Sequence, residues 1–110
     1  MLNLGIIGCG SVMQGPYMEI INKLSFKGVV NLKSVSDVND KIHKVISKKI
    51  KYQYFFKDYR KILKDPEIDL VLILTSMNEH CKITAEAINS RKHVLVEKPM
   101  ATNIKDLNTI

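Results

Sequence analysis

Short apolar runs and stretches of helical period alternate along the chain. Leu2 to Gly8 predicts a buried first strand, and Val12 to Lys23 a helix with Met18, Ile21 and Leu24 at helical spacing. Val29 to Asp37 predicts a second strand. Asp40 to Lys49 predicts a helix with Ile42, Val45 and Ile46 on one face and Asp40 as cap or first-turn anion. The aromatic run Tyr52 to Phe56 reads as a third strand. Asp58 caps an expected helix over Tyr59 to Lys64, whose apolar face is Tyr59, Ile62 and Leu63. After the turn Asp65-Pro66-Glu67, the run Asp69 to Leu74 is the most hydrophobic and the expected central strand. A helix from Asn78 or Glu79 to Arg91 turns Ile83, Ala87 and Ile88 inward. His93 to Glu97 is the expected fifth strand, its apolar run that of a parallel strand buried on both faces, and Asn103 opens a last helix reaching Ile110.

This alternation with short connections predicts an α/β fold: a doubly wound parallel sheet of about five strands, flanked by helices and joined by right-handed crossovers. The 110 residues suffice for one domain with a real core. Because the chain stops inside an expected helix, residues 1–110 are expected to be the N-terminal piece of a longer protein.

Composition narrows the class. A 45% hydrophobic and 25% charged share is that of a soluble globular chain. No apolar run approaches a membrane span, and no signal or transit segment is expected before the first strand. Two cysteines, Cys9 and Cys81, form no disulfide framework and point to a reducing compartment, so a cytoplasmic location is expected. The formal charge of +6 raises the question of a nucleic-acid surface. Against it, the lysines between Lys41 and Lys64 fall on outward helix faces, are diluted by Asp40, Asp58 and Asp65, and come with no recognition motif. No nucleic-acid, membrane or metal partner is therefore expected.

Chemistry collects where strands end. The first strand runs into Gly8-Cys9-Gly10-Ser11-Val12-Met13. Gly8 permits a tight turn, Gly10 lets backbone approach a pyrophosphate, and the N–H groups from Ser11 onward offer donors and a positive helix end. Met13 replaces the third glycine of the dinucleotide fingerprint, a position that serves helix–strand packing; Gly15 eases the approach instead, and Pro16 suits a first helical turn. The second strand ends at Asp37, where an acidic residue hydrogen-bonds the adenine ribose of a dinucleotide; the same residue would equally cap the turn that follows. A carboxylate there also repels a 2′-phosphate. Two unit charges ~4 Å apart are worth ~4 kcal/mol at an effective dielectric of 20, and a third of that is about tenfold in affinity. NAD is therefore expected over NADP, with Ser36 and Lys41 leaving some room for NADP. The fifth strand runs into Glu97-Lys98-Pro99: two opposite charges at the ligand-binding edge, then a proline that stops the ladder. That stretch suits a reaction centre or a surface ion pair.

The glycine loop, Asp37, Thr75-Ser76-Met77-Asn78-Glu79-His80 and Lys92-His93-Val94-Leu95-Val96-Glu97-Lys98-Pro99 stand in order along one chain. Together they resemble the N-terminal domain of the glucose–fructose oxidoreductase / inositol dehydrogenase / MocA (Gfo/Idh/MocA) family, a Rossmann fold. Asp65-Pro66-Glu67-Ile68-Asp69 is similar too, and the resemblance covers essentially the whole chain. It implies a pyridine-nucleotide oxidoreductase acting on a sugar, cyclitol or related polyol, homo-oligomeric as a full-length protein. It puts Gly8, Gly10, Ser11, Val12, Met13 and Asp37 on the cofactor, with Thr75, Ser76 and Met77 against its nicotinamide half. Ser76 departs from the proline usual there, and helix one lacks a histidine common in the family. His80 matches a histidine that opens the family's next helix, where a neighbouring carbonyl would also satisfy it; His43 and His93 read as structural. Lys98 is the implied catalytic residue, lowering the substrate hydroxyl's pKa, with Glu97 on the cofactor or on Lys98. The family's other proton-transferring residues lie in a C-terminal domain that these residues do not include. A non-catalytic dinucleotide sensor and a biliverdin-reductase-type enzyme are the competing readings.

Overall fold

A computed structural model describes residues 1–8, 17–39, 41–75 and 77–96. The order along the chain is β1 (Leu2–Ile7), α1 (Met18–Phe26), β2 (Val30–Ser36), α2 (Ile42–Ile46), β3 (Tyr54–Phe56), α3 (Arg60–Leu63), β4 (Leu70–Ile73), α4 (Met77–Asn89) and β5 (His93–Val96). The strands form one sheet, β3-β2-β1-β4-β5, and every described pairing is parallel.

Both faces are covered because successive strand residues point opposite ways. Leu4 and Ile6 of β1 and Leu72 of β4 join Met18, Ile21 and Ile46 of α1 and α2 in one core. Ile7, Val71 and Ile73 join Ile62, Leu63, Ile83 and Ala87 of α3 and α4 in the other. This is the doubly wound arrangement expected from the alternation. The expected centre shifts by one strand. β1, not the more hydrophobic β4, is the middle of the sheet. Gly5 dilutes β1 for a steric reason: a Cβ there would lie 2.6 Å from Ile62 Cγ2. Among the described residues β5 is the edge strand, and Leu95 is 52% exposed, so there His93–Val96 is not buried on both faces.

Helix boundaries and faces also move. α1 runs past Lys23 to Phe26 and is stopped by Gly28 at φ +77°, where the N–H of Val29 turns back to Leu24 O at 2.9 Å. Just before α2, Asn39 Oδ1 accepts the Lys41 N–H at 3.1 Å; Asp40, expected as cap or first-turn anion, lies outside the described residues. α2 is short and packs through Ile42 and Ile46, one turn apart, which leaves Val45 exposed. In α4 the inward line is Ile83, Thr84 and Ala87, and Ile88, rotated a further 100° or so, is 50% exposed. Asp58 does cap α3, its Oδ1 accepting the Arg60 N–H at 3.0 Å. Gly15, Pro16 and the helix expected from Asn103 lie outside the described residues.

The amino edge of the sheet is fastened by two lysines around the turn before β4. Lys92 Nζ donates to Asp65 O at 2.6 Å and Ile68 O at 2.9 Å. Lys33 Nζ sits 2.7 Å from both Asp65 Oδ2 and Glu67 Oε2. Hydrogen bonds to Asp65 and Glu67 raise the Lys33 pKa, whereas burial lowers that of Lys92. Burial pushes the Asp65 carboxyl up, but Lys33 and the Glu67 N–H together outweigh it and leave it low. Asn3 completes the fastening, its N–H donating to Asp69 Oδ2 at 2.8 Å and its Nδ2 to Glu67 O at 2.9 Å.

At the opposite edge Gly8 adopts φ +92°, and a Cβ there would lie 2.8 Å from both Leu74 C and Thr75 N.

Two stability measurements test this account. Lys92→Met removes the ammonium that bonds Asp65 O and Ile68 O, of which Asp65 O keeps the Ile68 N–H at 3.3 Å, and should cost ~1–2 kcal/mol in urea unfolding, whereas Lys44→Met on an exposed helix face should stay within ~0.5 kcal/mol. Gly8→Ala should cost at least ~2 kcal/mol, combining left-handed strain with a backbone clash; a loss no larger than for Gly28→Ala, whose Cβ would meet nothing within 4 Å, would show that the clash is relieved.

Candidate functional site

The carboxyl ends of the strands enclose a cleft of ≈ 260 Å³. Its walls are Ile7 and Gly8 after β1, Ser36, Asp37 and Val38 after β2, and Lys57 and Tyr59 after β3. Leu74, Thr75, Glu79 and Ile83 close it from β4 and α4. Backbone bonds align these ends: Leu74 N–H to Ile7 O and Gly8 N–H to Ser36 O at 2.8 Å each, and Asp37 N–H to Phe56 O at 3.2 Å.

Three residues expected at the cofactor, Gly8, Asp37 and Thr75, thus share one cleft. Asp37 Oδ1 accepts the Asn39 N–H at 2.9 Å, so the turn-capping reading of this residue is present. That bond also fixes the direction of the carboxylate at the cleft wall. The Thr75 hydroxyl oxygen is buried and has no hydrogen-bond partner among the described residues. A buried hydroxyl in that state is costly unless something entering the cleft engages it. Ser36 is almost wholly buried.

Tyr59 closes the cleft from α3. Its hydroxyl donates to Glu86 Oε2 of α4 at 2.7 Å. Burial, then the Glu86 carboxylate, push the phenol up to about 12, so it stays protonated at neutral pH. The Arg60 guanidinium lies over the Tyr59 ring, 5.4 Å from its centroid. This α3–α4 tie holds the helix whose first turn carries Met77, Glu79 and His80.

Gly10, Ser11, Val12, Met13, Ser76, Glu97, Lys98 and Pro99 lie outside the described residues. His43 is structural as expected: Nδ1 lies 2.6 Å from the Tyr52 hydroxyl and the ring packs on Phe55. His93 is exposed on β5. Lys41, read with Ser36 as leaving room for NADP, immediately precedes α2 and is not among the described residues that line the cleft. Lys57 does, together with Tyr59, and neither was among the expected site residues. The available signal was positional: Lys57 follows the third strand as Asp37 follows the second. No described helix is long and apolar enough to cross a membrane.

Comparison with known proteins gives this geometry a family. The model of an oxidoreductase family with an NAD-binding Rossmann fold, Gfo/Idh/MocA, matches residues 2–110. A myo-inositol 2-dehydrogenase of Thermotoga maritima is 26% identical over 109 residues, covering 97% of this chain and 31% of that protein. An inositol 2-dehydrogenase/D-chiro-inositol 3-dehydrogenase of Halalkalibacterium halodurans is 31% identical over 102 residues, covering 92% and 28%. The crystal structure of an NAD-binding oxidoreductase from Klebsiella pneumoniae superimposes with a TM-score of 0.85 at 25% identity, covering 97% of this chain and 29% of that one. The chain spans less than a third of each of these proteins. A parallel sheet wound on both faces, a cleft at its carboxyl edge and a family match over residues 2–110 lead to one conclusion: the chain belongs to the Gfo/Idh/MocA oxidoreductases, as their NAD-binding Rossmann domain.

Proposed function

We propose that this chain is the cofactor domain of an enzyme that transfers hydride between NAD and a sugar, cyclitol or related polyol. The observation that carries the reading is the single cleft lined by Gly8, Asp37 and Thr75, with a buried hydroxyl that lacks a partner among the described residues. The inositol dehydrogenases among the relatives support a cyclitol as substrate.

In this reading the adenine ribose lies at Asp37, whose carboxylate accepts its hydroxyls and disfavours a 2′-phosphate, so NAD is preferred to NADP. The pyrophosphate crosses Gly8, Gly10, Ser11, Val12 and Met13, where backbone N–H groups are its donors. Thr75, Ser76, Met77 and His80 flank the nicotinamide half, and the Thr75 hydroxyl gains there the partner it lacks. The nicotinamide, when bound, accepts or returns the hydride. Lys98 supplies an ammonium that stabilises the alkoxide developing on the substrate oxygen, and Glu97 orients Lys98 or holds the cofactor. Their roles rest on the motif Glu97-Lys98-Pro99. Residues 1–110 form the cofactor domain, and a second domain of the full protein completes the substrate site. A cytoplasmic setting is supported by the low cysteine count, and a homo-oligomeric full-length protein by the family resemblance.

The chain should bind NADH saturably in a fluorescence titration, and Asp37→Ala should weaken that binding about tenfold, the value of a lost charged hydrogen bond. Thr75→Val should weaken NADH while leaving the unliganded chain as stable as before or slightly more so, because it removes a hydroxyl without a partner. Absence of saturable binding, or indifference to Asp37→Ala, would overturn the reading. In the full-length protein, Lys98→Ala should lower polyol turnover by ~100-fold or more with NADH binding largely spared. Polyol oxidation by residues 1–110 alone would refute the two-domain arrangement.

A further inference from the structure

The last regular pair between β2 and β3 is Ser36 with Phe56. The ladder continues one step, since the Asp37 N–H donates to Phe56 O at 3.2 Å. In a parallel ladder an N–H bonds the carbonyl preceding its lateral neighbour, so the neighbour of Asp37 is Lys57. Lateral neighbours project from the same face about 4.8 Å apart, and both residues line the same cleft. The strand order β3-β2-β1 sets Lys57 on the side of Asp37 away from Gly8.

A nucleotide laid from Gly8 across the end of β2 meets Asp37 with its ribose hydroxyls. Whatever is attached to the 2′-oxygen then lies within one strand spacing of a flexible four-carbon ammonium. We propose that Lys57 is a second specificity-determining residue at this site: it forms a latent subsite for a 2′-phosphate, and only the carboxylate of Asp37 keeps that subsite from selecting NADP. The inference rests on the cofactor reading above. It predicts that one substitution, without any added base, suffices to change the preferred cofactor.

The test is titration of NADH and NADPH against the wild-type chain, Lys57→Gln, Asp37→Ser and Asp37→Ser/Lys57→Gln, with folding of each verified by circular dichroism. Asp37→Ser should weaken NADH and tighten NADPH, each about tenfold. Adding Lys57→Gln to that variant should take back about tenfold in NADPH affinity and leave NADH little changed. Lys57→Gln alone should weaken NADPH and spare NADH. If Asp37→Ser/Lys57→Gln binds NADPH as tightly as Asp37→Ser, or if Asp37→Ser gains nothing for NADPH while losing NADH, the role of Lys57 is overturned and the cofactor reading stands. If the wild-type chain does not bind NADH saturably, the cofactor reading itself falls, and the subsite with it.

Discussion

Backbone hydrogen bonds at the carboxyl edge of the sheet hold everything else in the candidate site in place. Leu74 N–H reaches Ile7 O, Gly8 N–H reaches Ser36 O, and Asp37 N–H reaches Phe56 O. Each prolongs a ladder one step past its last regular pair, so neighbouring strands end along one line. Gly8 is what permits this. Its φ is +92°, and the space a Cβ would need is taken by the backbone of Leu74 and Thr75. A bulkier residue would push the ends of β1 and β4 apart. Asp37 and Thr75 would then no longer face a common cleft.

The two edges of the sheet use polar groups in opposite ways. At the amino edge Lys33, Lys92, Asn3, Asp65, Glu67 and Asp69 satisfy one another around a single turn. Such a network is rigid, and its charges are committed to structure. At the carboxyl edge the Thr75 hydroxyl is buried without a partner among the described residues, while Asp37, Lys57 and Glu79 line open space. Groups satisfied internally build the fold, and groups turned toward a cavity are available to a ligand. A formal charge of +6 is therefore a poor guide to partners here, since Lys33 and Lys92 contribute to it while holding the turn before β4.

The fold was legible because buried parallel strands read as apolar runs and amphipathic helices as one-turn repeats. Five strands and four helices occur in the expected order among the described residues. What failed was rank. β4 is the most apolar run, yet β1 is the middle of the described strands; its apolar signal is thinned by Gly5, where a Cβ would crowd the Ile62 side chain. β5 looks like an interior strand in composition and is an edge among the described strands. Val45 and Ile88 are apolar and adjacent to truly inward residues, but one step along a helix rotates a side chain by about 100°, and the core takes Ile46 and Ala87 instead.

The site was legible to the same depth and no further. Gly8, Asp37 and Thr75 could be found because each stands at the end of an apolar run, and in a parallel sheet all such ends open on one edge. Lys57 satisfies the same criterion. Its meaning comes from what lies beside it, and lateral neighbours in a parallel sheet are separated by a whole helix and its connections. Strand order supplies that information. With β3 outside β2, Asp37 and Lys57 form a charged pair of neighbours at one end of the cleft. With β4 on the other side of β1, Thr75 brings an uncharged hydroxyl toward the opposite end. The placement of Asp37 beside Lys57, with Thr75 across β1 from them, is thus a consequence of the order β3-β2-β1-β4, and the residue types alone could not have disclosed it.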